Sequence, residues 1–327
     1  MESLVKTVAP RGVPLVSVSI TAYNRATLLP RALESVLAQR TAFPIEIVIG
    51  DDCSEDDTLR VAHAYRERHP EVIRVLERGK NAGIQRNTYE NLEQCRGKYI
   101  AWLDADDYWT DPDKLAIQAA ILESDPSINV CCHRVRYVTW TGEVVKQADP
   151  TLAAGRYGLE QIVRQNFVRT PSVMFRNGIP RRLPEWYFEL ESLSDWPIWV
   201  FLALSGDLVL LDVPMADYVV TPGGSFESKG EEFQRWMDVE FYERIATVLP
   251  GKFHRMVRAE KGKRYEVIAY LLRKQRAFPA SRRAALKAFF SPFPMDNLGS
   301  KSKALVASLV REAEWRLFNS GPRQEPL

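Results

Sequence analysis

The chain has 327 residues, 46% of them apolar and 10% aromatic, enough for one large domain with an extension or for two domains with real cores. Its formal charge of +2 hides an asymmetry: residues 250–327 hold 17 Lys and Arg against 6 Asp and Glu, so the remainder is acidic. That acidic majority and the lack of any nucleic-acid motif exclude nucleic acid as the partner, and no run of eighteen apolar residues provides a spanning helix.

Residues 1–13 contain Glu2 and no apolar stretch, and read as a tail rather than a leader. From there the chain alternates short β-rich runs with helical patterns. Leu15–Ile20 reads as a buried strand, and 26–39 as a helix with Leu29, Ala32, Leu33, Val36 and Leu37 on one stripe. Ile45–Ile49 is a second strand, 56–68 a helix that Asp56 or Asp57 can cap, and Val72–Leu76 a third strand. A helix over 84–95 precedes a fourth strand, Lys98–Leu103. This order predicts an α/β fold with a mostly parallel sheet and helices on both faces. Beyond it, a hairpin is expected around Thr141-Gly142, strands at Ser172–Phe175 and Leu208–Leu211, and a helix over 196–204. From about 230 nearly everything reads as helix, with a break near Ser291–Pro294 and frayed ends at 320–327. The expected organisation is a tail (1–13), a catalytic domain (14–229) and a basic helical region (230–327). Cys53, Cys95, Cys131 and Cys132 form no CxxC pair and read as buried, reduced thiols of a cytosolic protein.

In such sheets ligands sit beyond the C-terminal strand ends, which draws attention to three loops. Asp104-Ala105-Asp106-Asp107 crowds three carboxylates into four residues, a repulsion that a hard divalent cation relieves while sharing its ligands with phosphates. The competing reading is an acidic turn before a helix that starts at Asp111-Pro112-Asp113. Asp51-Asp52 can accept from a base or a ribose, or merely cap the next helix. Thr21-Ala22-Tyr23-Asn24 offers a ring for stacking and backbone N–H groups for an anion, or a plain N-cap. Lys80–Asn87 can line a donor site with Asn81 and Arg86, the latter meeting a phosphate, or form a surface turn.

Together these segments resemble glycosyltransferase family 2. The residues that carry the resemblance are Val18–Arg25, Ala32–Gln39, Glu46–Ser54, Asn81-Ala82-Gly83 and Gly97–Asp107, within a match over roughly 14–225. The resemblance implies an A-type glycosyltransferase fold around a nucleotide-sugar site. It implies nucleoside contacts by Thr21, Tyr23 and Asp52, a DxD pair in Asp104 and Asp106, and Mn²⁺ or Mg²⁺ near Asp106 or Asp107. A further match at Glu191–Pro197 implies that Asp195 is the catalytic base, with Glu191 in reserve; a carboxylate there suits a weakly nucleophilic acceptor hydroxyl. Alternatively, Asp195 only caps the 196–204 helix. Where relatives carry a metal-binding His, this chain has Thr221.

The expectation is an inverting, metal-dependent transferase. It moves a sugar from a nucleotide-diphosphate donor, UDP favoured, to a carbohydrate or lipid-linked acceptor. Competing classes are an impaired nucleotide-binding scaffold and a nucleotidyltransferase. The basic C-terminal region is either a solvated helical cap or a peripheral contact with the inner face of a membrane.

Overall fold

The computed structural model describes residues 12–146, 152–178, 183–220 and 229–290. The chain divides into two compact units, Met1–Pro222 and Gly223–Leu327.

In the first unit, β1 (Val16–Ala22), β2 (Ile45–Asp51), β3 (Ile73–Glu77) and β4 (Tyr99–Asp104) lie parallel in the order β3-β2-β1-β4. Between them run α1 (Leu29–Leu37), α2 (Thr58–Arg68) and α3 (Ile84–Glu93). All seven residues of β1 are buried, as a central parallel strand covered on both faces must be. Its two serines are satisfied internally. Ser17 Oγ donates to Glu46 Oε1 at 2.6 Å, and Ser19 Oγ accepts from Asn91 Nδ2 at 2.7 Å. Helix α1 begins with Pro30 in its first turn and buries Leu29, Ala32, Leu33 and Val36 of the expected stripe, while Leu37 at its end is half-buried. Helix α2 is started by Asp56, whose Oδ1 accepts from the Thr58 N–H at 2.9 Å.

The second half is mixed. It contains β5 (Tyr108–Trp109), α4 (Lys114–Ser124), β6 (Ile128–Thr139), β7 (Val144–Lys146), β8 (Gly155–Tyr157) and α5 (Leu159–Arg164). β9 (Met174–Arg176), α6 (Trp196–Ala203) and β10 (Asp207–Val220) complete it. β9 is antiparallel to both β4 and β6, so β6 and its parallel partner β10 point the same way as β4. The C-terminal ends of β1, β2, β4, β6 and β10 therefore share one edge of the sheet. Two expectations change in detail. The strand expected at Leu208–Leu211 continues to Val220, with register shifts on either side of Pro214, which lacks a ladder donor. The strand expected from Ser172 begins at Met174, because Thr170–Ser172 close a 3-10 turn. The hairpin at Thr141-Gly142 forms between β6 and β7, with Gly142 at φ 91°. Cys95, Cys131 and Cys132 are buried, Cys53 is half-buried, and all four are free thiols. Burial pushes the Cys95 and Cys131 thiols up to about 12.

The second unit contains α7 (Gly230–Ile245), α8 (His254–Lys274) and α9 (Phe278–Phe289). Val239, Tyr265, Ile268, Ala269 and Leu272 pack with Ala284, Ala285 and Ala288 as its core. Small residues on α9 let it lie close to α8, where Ser281 Oγ reaches the Ala269 carbonyl at 2.8 Å. The break near 291–294 and the end at 320–327 lie outside the described residues.

Among the described residues, one buried lysine has no ion-pair partner. Lys114 is fully enclosed; its Nζ donates to Gln118 Oε1 at 2.7 Å and stands 4.2 Å from the centre of the Trp109 ring. Gln118 is in turn fixed by donating to the carbonyls of Cys131 and Ser172. Desolvation pulls Lys114 down to about 7, with Cys131 and Cys132 opposing the shift. The folded value lies below the unfolded one, so the unfolded chain binds the extra proton between about pH 7 and 10.5. Stability from this group is present at high pH and lost as pH falls through about 7. Urea unfolding at pH 6 and 9 should therefore show the parent gaining on the order of 2 kcal/mol relative to Lys114→Met as pH rises. Parallel pH dependence in the two proteins would show that Lys114 does not titrate in this window.

Candidate active site

Backbone hydrogen bonds carry the sheet past its regular ends and hold three loops side by side. The Ala22 carbonyl accepts from the Asp52 N–H at 3.0 Å, and the Thr21 carbonyl accepts from the Ala105 N–H at 3.1 Å. Asn24 adopts φ 53°, a left-handed conformation that Asn tolerates. There its N–H reaches Ser54 Oγ at 2.9 Å and its Oδ1 accepts from the Glu55 N–H at 2.8 Å. Tyr23, between these anchors, leaves 41% of its surface exposed. The Asp51-Asp52 carboxylates are inward-facing and hold the loops themselves. Asp51 accepts from the Ser54 N–H and hydroxyl at 3.0 and 2.5 Å. Asp52 accepts from the Ala82 and Gly83 N–H groups at 2.8 and 3.0 Å. Gly83, at φ 85°, opens α3, and Asn81 Oδ1 also accepts from its N–H. Helix α3 presses on the strand ends: a Cβ at Gly50 would lie 2.9 Å from Asn87 Oδ1, whose amide donates to the Gly50 carbonyl.

The acidic loop gives its three carboxylates three different environments. Asp104 Oδ1 accepts from Thr21 Oγ1 at 2.8 Å and from Trp102 Nε1 at 3.3 Å, and Thr170 adds a third contact. Desolvation, followed by the neighbouring Asp106 charge, pushes Asp104 up to about 6, and these donors resist the rise. Asp106 stays partly exposed and pairs with Arg25 Nε at 2.9 Å. Asp107 turns inward: it is 3% exposed, and its Oδ1 accepts from the Val219 N–H of β10 at 2.7 Å. That bond fastens the acidic loop to the second half of the sheet.

Asp195 caps α6. Its Oδ1 accepts from the Trp196 N–H at 2.7 Å, and Pro197 occupies the first turn, so the local sequence reads as a helix start. Its Oδ2 faces Asn166 Nδ2 at 3.2 Å and Trp199 Nε1 at 3.4 Å. Glu191 lies exposed in the preceding loop. The indoles of Trp102 and Trp199 meet with centroids 5.5 Å apart, so a continuous path of contacts joins Asp104 to Asp195. Arg86 lies over the Phe188 ring, 4.8 Å from its centre, with Glu90 at 3.7 Å. It thereby ties the start of α3 to the 185–189 turn, which leads into the Asp195 loop.

Several neighbours were not singled out from sequence. Arg25 follows the Thr21–Asn24 loop directly, and a cation two residues beyond an exposed Tyr was a readable signal. Asn166 and Arg169 sit in an irregular stretch with no motif. Arg169 Nε donates to Tyr137 Oη at 2.8 Å. Burial alone would lower the Arg169 guanidinium, yet Tyr137 and Asp195 hold it above its ordinary range.

Among the described residues no group of three or more His, Cys, Asp or Glu converges as a self-sufficient metal cage. Asp106, with Asp104 two residues away, fits the other kind of site, in which one or two carboxylates share a divalent ion with phosphate oxygens and water. Asp107, engaged by Val219, is turned away from that role. Thr221 lies outside the described residues.

The family model for glycosyl transferase family 2 matches residues 17–177, a span that includes the loops at Thr21, Asp51, Asn81 and Asp104 and ends before the 185–189 turn and Asp195. An uncharacterised protein of Mycobacterium tuberculosis is 31% identical over 239 residues, covering 72% of this chain. The match spans about two thirds, 66%, of that relative's length. Among solved structures, S. aureus TarS 1–349 in complex with UDP-GlcNAc superposes with a TM-score of 0.64 at 20% identity, covering 93% of this chain and 92% of that one. A mannosyltransferase from Pyrobaculum calidifontis, in complex with GDP-Man and Mn²⁺, gives 0.51 at 17% identity over 96% and 90%. The sheet order, the flanking helices and these neighbours agree on an A-type glycosyltransferase fold, and the chain belongs to glycosyl transferase family 2.

Proposed function

We propose that this glycosyltransferase is inverting and metal-dependent, and that it uses a nucleotide-diphosphate sugar, with UDP the favoured carrier. The observation that supports this reading is the path of contacts from Asp104 through Trp102 and Trp199 to Asp195, which links the acidic loop to a second carboxylate. The neighbours solved with UDP-GlcNAc and with GDP-Man and Mn²⁺ support donor class and metal. In this reading Thr21, Ala22, Tyr23, Asn24, Asp51, Asp52 and Asn81 form the nucleoside end. Asp104 meets the ribose, and Asp106 holds Mn²⁺ or Mg²⁺ together with the diphosphate. When bound, the ion offsets charge on the departing diphosphate. Arg25 keeps the Asp106 carboxylate oriented and adds positive charge beside the diphosphate path. Asp195 accepts the proton of the acceptor hydroxyl as its oxygen bonds to the anomeric carbon. The bond from that carbon to the phosphate oxygen breaks with its electron pair on the nucleoside diphosphate, and configuration inverts. Glu191, exposed in the same loop, is the reserve for that proton.

Steady-state kinetics and nucleotide thermal shift on two variants test the division of labour. Asp195→Asn should lower turnover roughly 10²–10⁴-fold and leave donor affinity unchanged. Asp106→Ala should abolish the Mn²⁺-dependent thermal shift with nucleoside diphosphate and leave the melting temperature without nucleotide near that of the parent. Parental turnover in Asp195→Asn moves the base to Glu191, and an intact Mn²⁺ response in Asp106→Ala removes the metal from this loop.

The acceptor is proposed to be a carbohydrate or a lipid-linked chain, reached from the cytoplasmic face of a membrane. No helix among the described residues is long and apolar enough to cross a membrane. Instead, residues 267–290 carry six Lys or Arg and no Asp or Glu. Lys274, Arg276, Arg283 and Lys287 are exposed there, interleaved with exposed Tyr270, Leu286 and Phe290. On α9 and its C-cap, residues 279, 283, 286, 287 and 290 fall on one outward stripe, a mixed cationic and apolar face of the kind that lies in a lipid interface. Each such cation contributes about 1 kcal/mol near an anionic surface, so four matter at low salt. The full chain should sediment with phosphatidylcholine vesicles in proportion to added phosphatidylglycerol and be released by salt. A variant with Lys274, Arg276, Arg283 and Lys287 changed to Glu should stay in the supernatant. Equal recovery of both proteins at low salt reduces this surface to a solvated cap.

A further inference from the structure

We propose that Asn166 positions the Asp195 carboxylate for proton transfer. The proposal rests on Asp195 being the base. The two oxygens of Asp195 have separate duties. Oδ1 accepts from the Trp196 N–H at 2.7 Å and so serves the helix. Oδ2 is the oxygen left to chemistry, and its direction is set by Asn166 Nδ2 at 3.2 Å and Trp199 Nε1 at 3.4 Å. Donors at these lengths orient an oxygen without saturating it, so a stronger donor such as an acceptor hydroxyl can still approach.

The second observation is on the other end of the amide. Asn166 Oδ1 is enclosed and has no hydrogen-bond partner among the described residues. A buried carbonyl without a donor is unfavourable, so this amide is not satisfied for its own sake. Flipping it would present Oδ1 to a carboxylate oxygen, an acceptor facing an acceptor, so Asp195 alone fixes which way the amide points. The main chain at this residue is held from the sheet. Arg169 Nη1 donates to the Asn166 carbonyl at 3.0 Å, and the same guanidinium is anchored on Tyr137 of β6. Asn166 is therefore a rigid strut between β6 and Oδ2 of Asp195. The charged and titratable groups facing Asp195 are Arg169 and Tyr187, both of which feel its charge; the Tyr187 hydroxyl is tied to the Ser194 carbonyl at 2.8 Å. Trp199, fully buried, supplies the remaining donor.

The test is the pH profile of kcat/KM for Asn166→Ala and Asn166→Asp, with Asp195→Asn alongside and the nucleotide thermal shift as a check of folding. Asn166→Ala leaves Oδ2 with only the longer Trp199 bond, so kcat should fall about tenfold to a hundredfold with the donor KM unchanged. Asn166→Asp has the same shape but sets a second carboxyl against Asp195. The two share a proton, so the acidic limb should move to higher pH by about one unit or more. A parental acidic limb in Asn166→Asp overturns the proposal, even if overall activity is lower, because a packing defect changes amplitude and not the limb. Parental turnover in Asp195→Asn overturns the base reading itself. Loss of turnover there, combined with unshifted Asn166 variants, removes only the role given to Asn166.

Discussion

The contact between Trp102 and Trp199 is the constraint on which the spacing of Asp104 and Asp195 depends. Both indoles are almost wholly buried, one on β4 and one on α6, and each aims its N–H at a different carboxylate. Trp199 also packs edge-on against Phe175 of β9, whose neighbours in register are Ile100 and Val130. The separation of Asp104 from Asp195 is thereby set by ring packing inside the sheet and not by the loops that bear them. Close-packed aromatic interiors deform little, so the two carboxylates keep their spacing.

Around that fixed spacing the acidic loop stores electrostatic tension. Asp104 is driven toward its protonated form by burial and by Asp106, while Thr21, Trp102 and Thr170 resist. Arg25 balances part of the Asp106 charge from outside, and Val219 draws Asp107 out of the group. Three carboxylates within four residues thus become one structural anchor, one desolvated acceptor and one partly exposed partner of Arg25. Such unfavourable local arrangements persist only where the surrounding fold over-determines them.

Much of this was legible in sequence. Four β-rich runs alternating with helical stripes gave the parallel half and placed its polar loops at one edge. The second half was harder to read for physical reasons. β9 has three residues, too few for a period to show, yet its antiparallel insertion decides the direction of β6. β10 hides behind Pro214, which ordinarily ends a strand and here sits at a register shift. In the site, spacing alone could not tell that Asp107 faces inward or that Arg86 lies on Phe188, because both outcomes depend on partners a hundred residues away. Asn166 had no motif at all; only the fold brings it to Asp195.

The four thiols acquire a meaning from where they lie. Cys95, Cys131 and Cys132 are sealed in the interior and held far from the thiolate form, so an alkylating reagent meets them only when the sheet opens. Cys53 is different: half-buried, at φ 60°, it belongs to the loop that Asp51 and Ser54 organise. A native protein therefore contains two clocks for the same reagent, one timed by local opening of the loop that holds Cys53 and one by global unfolding.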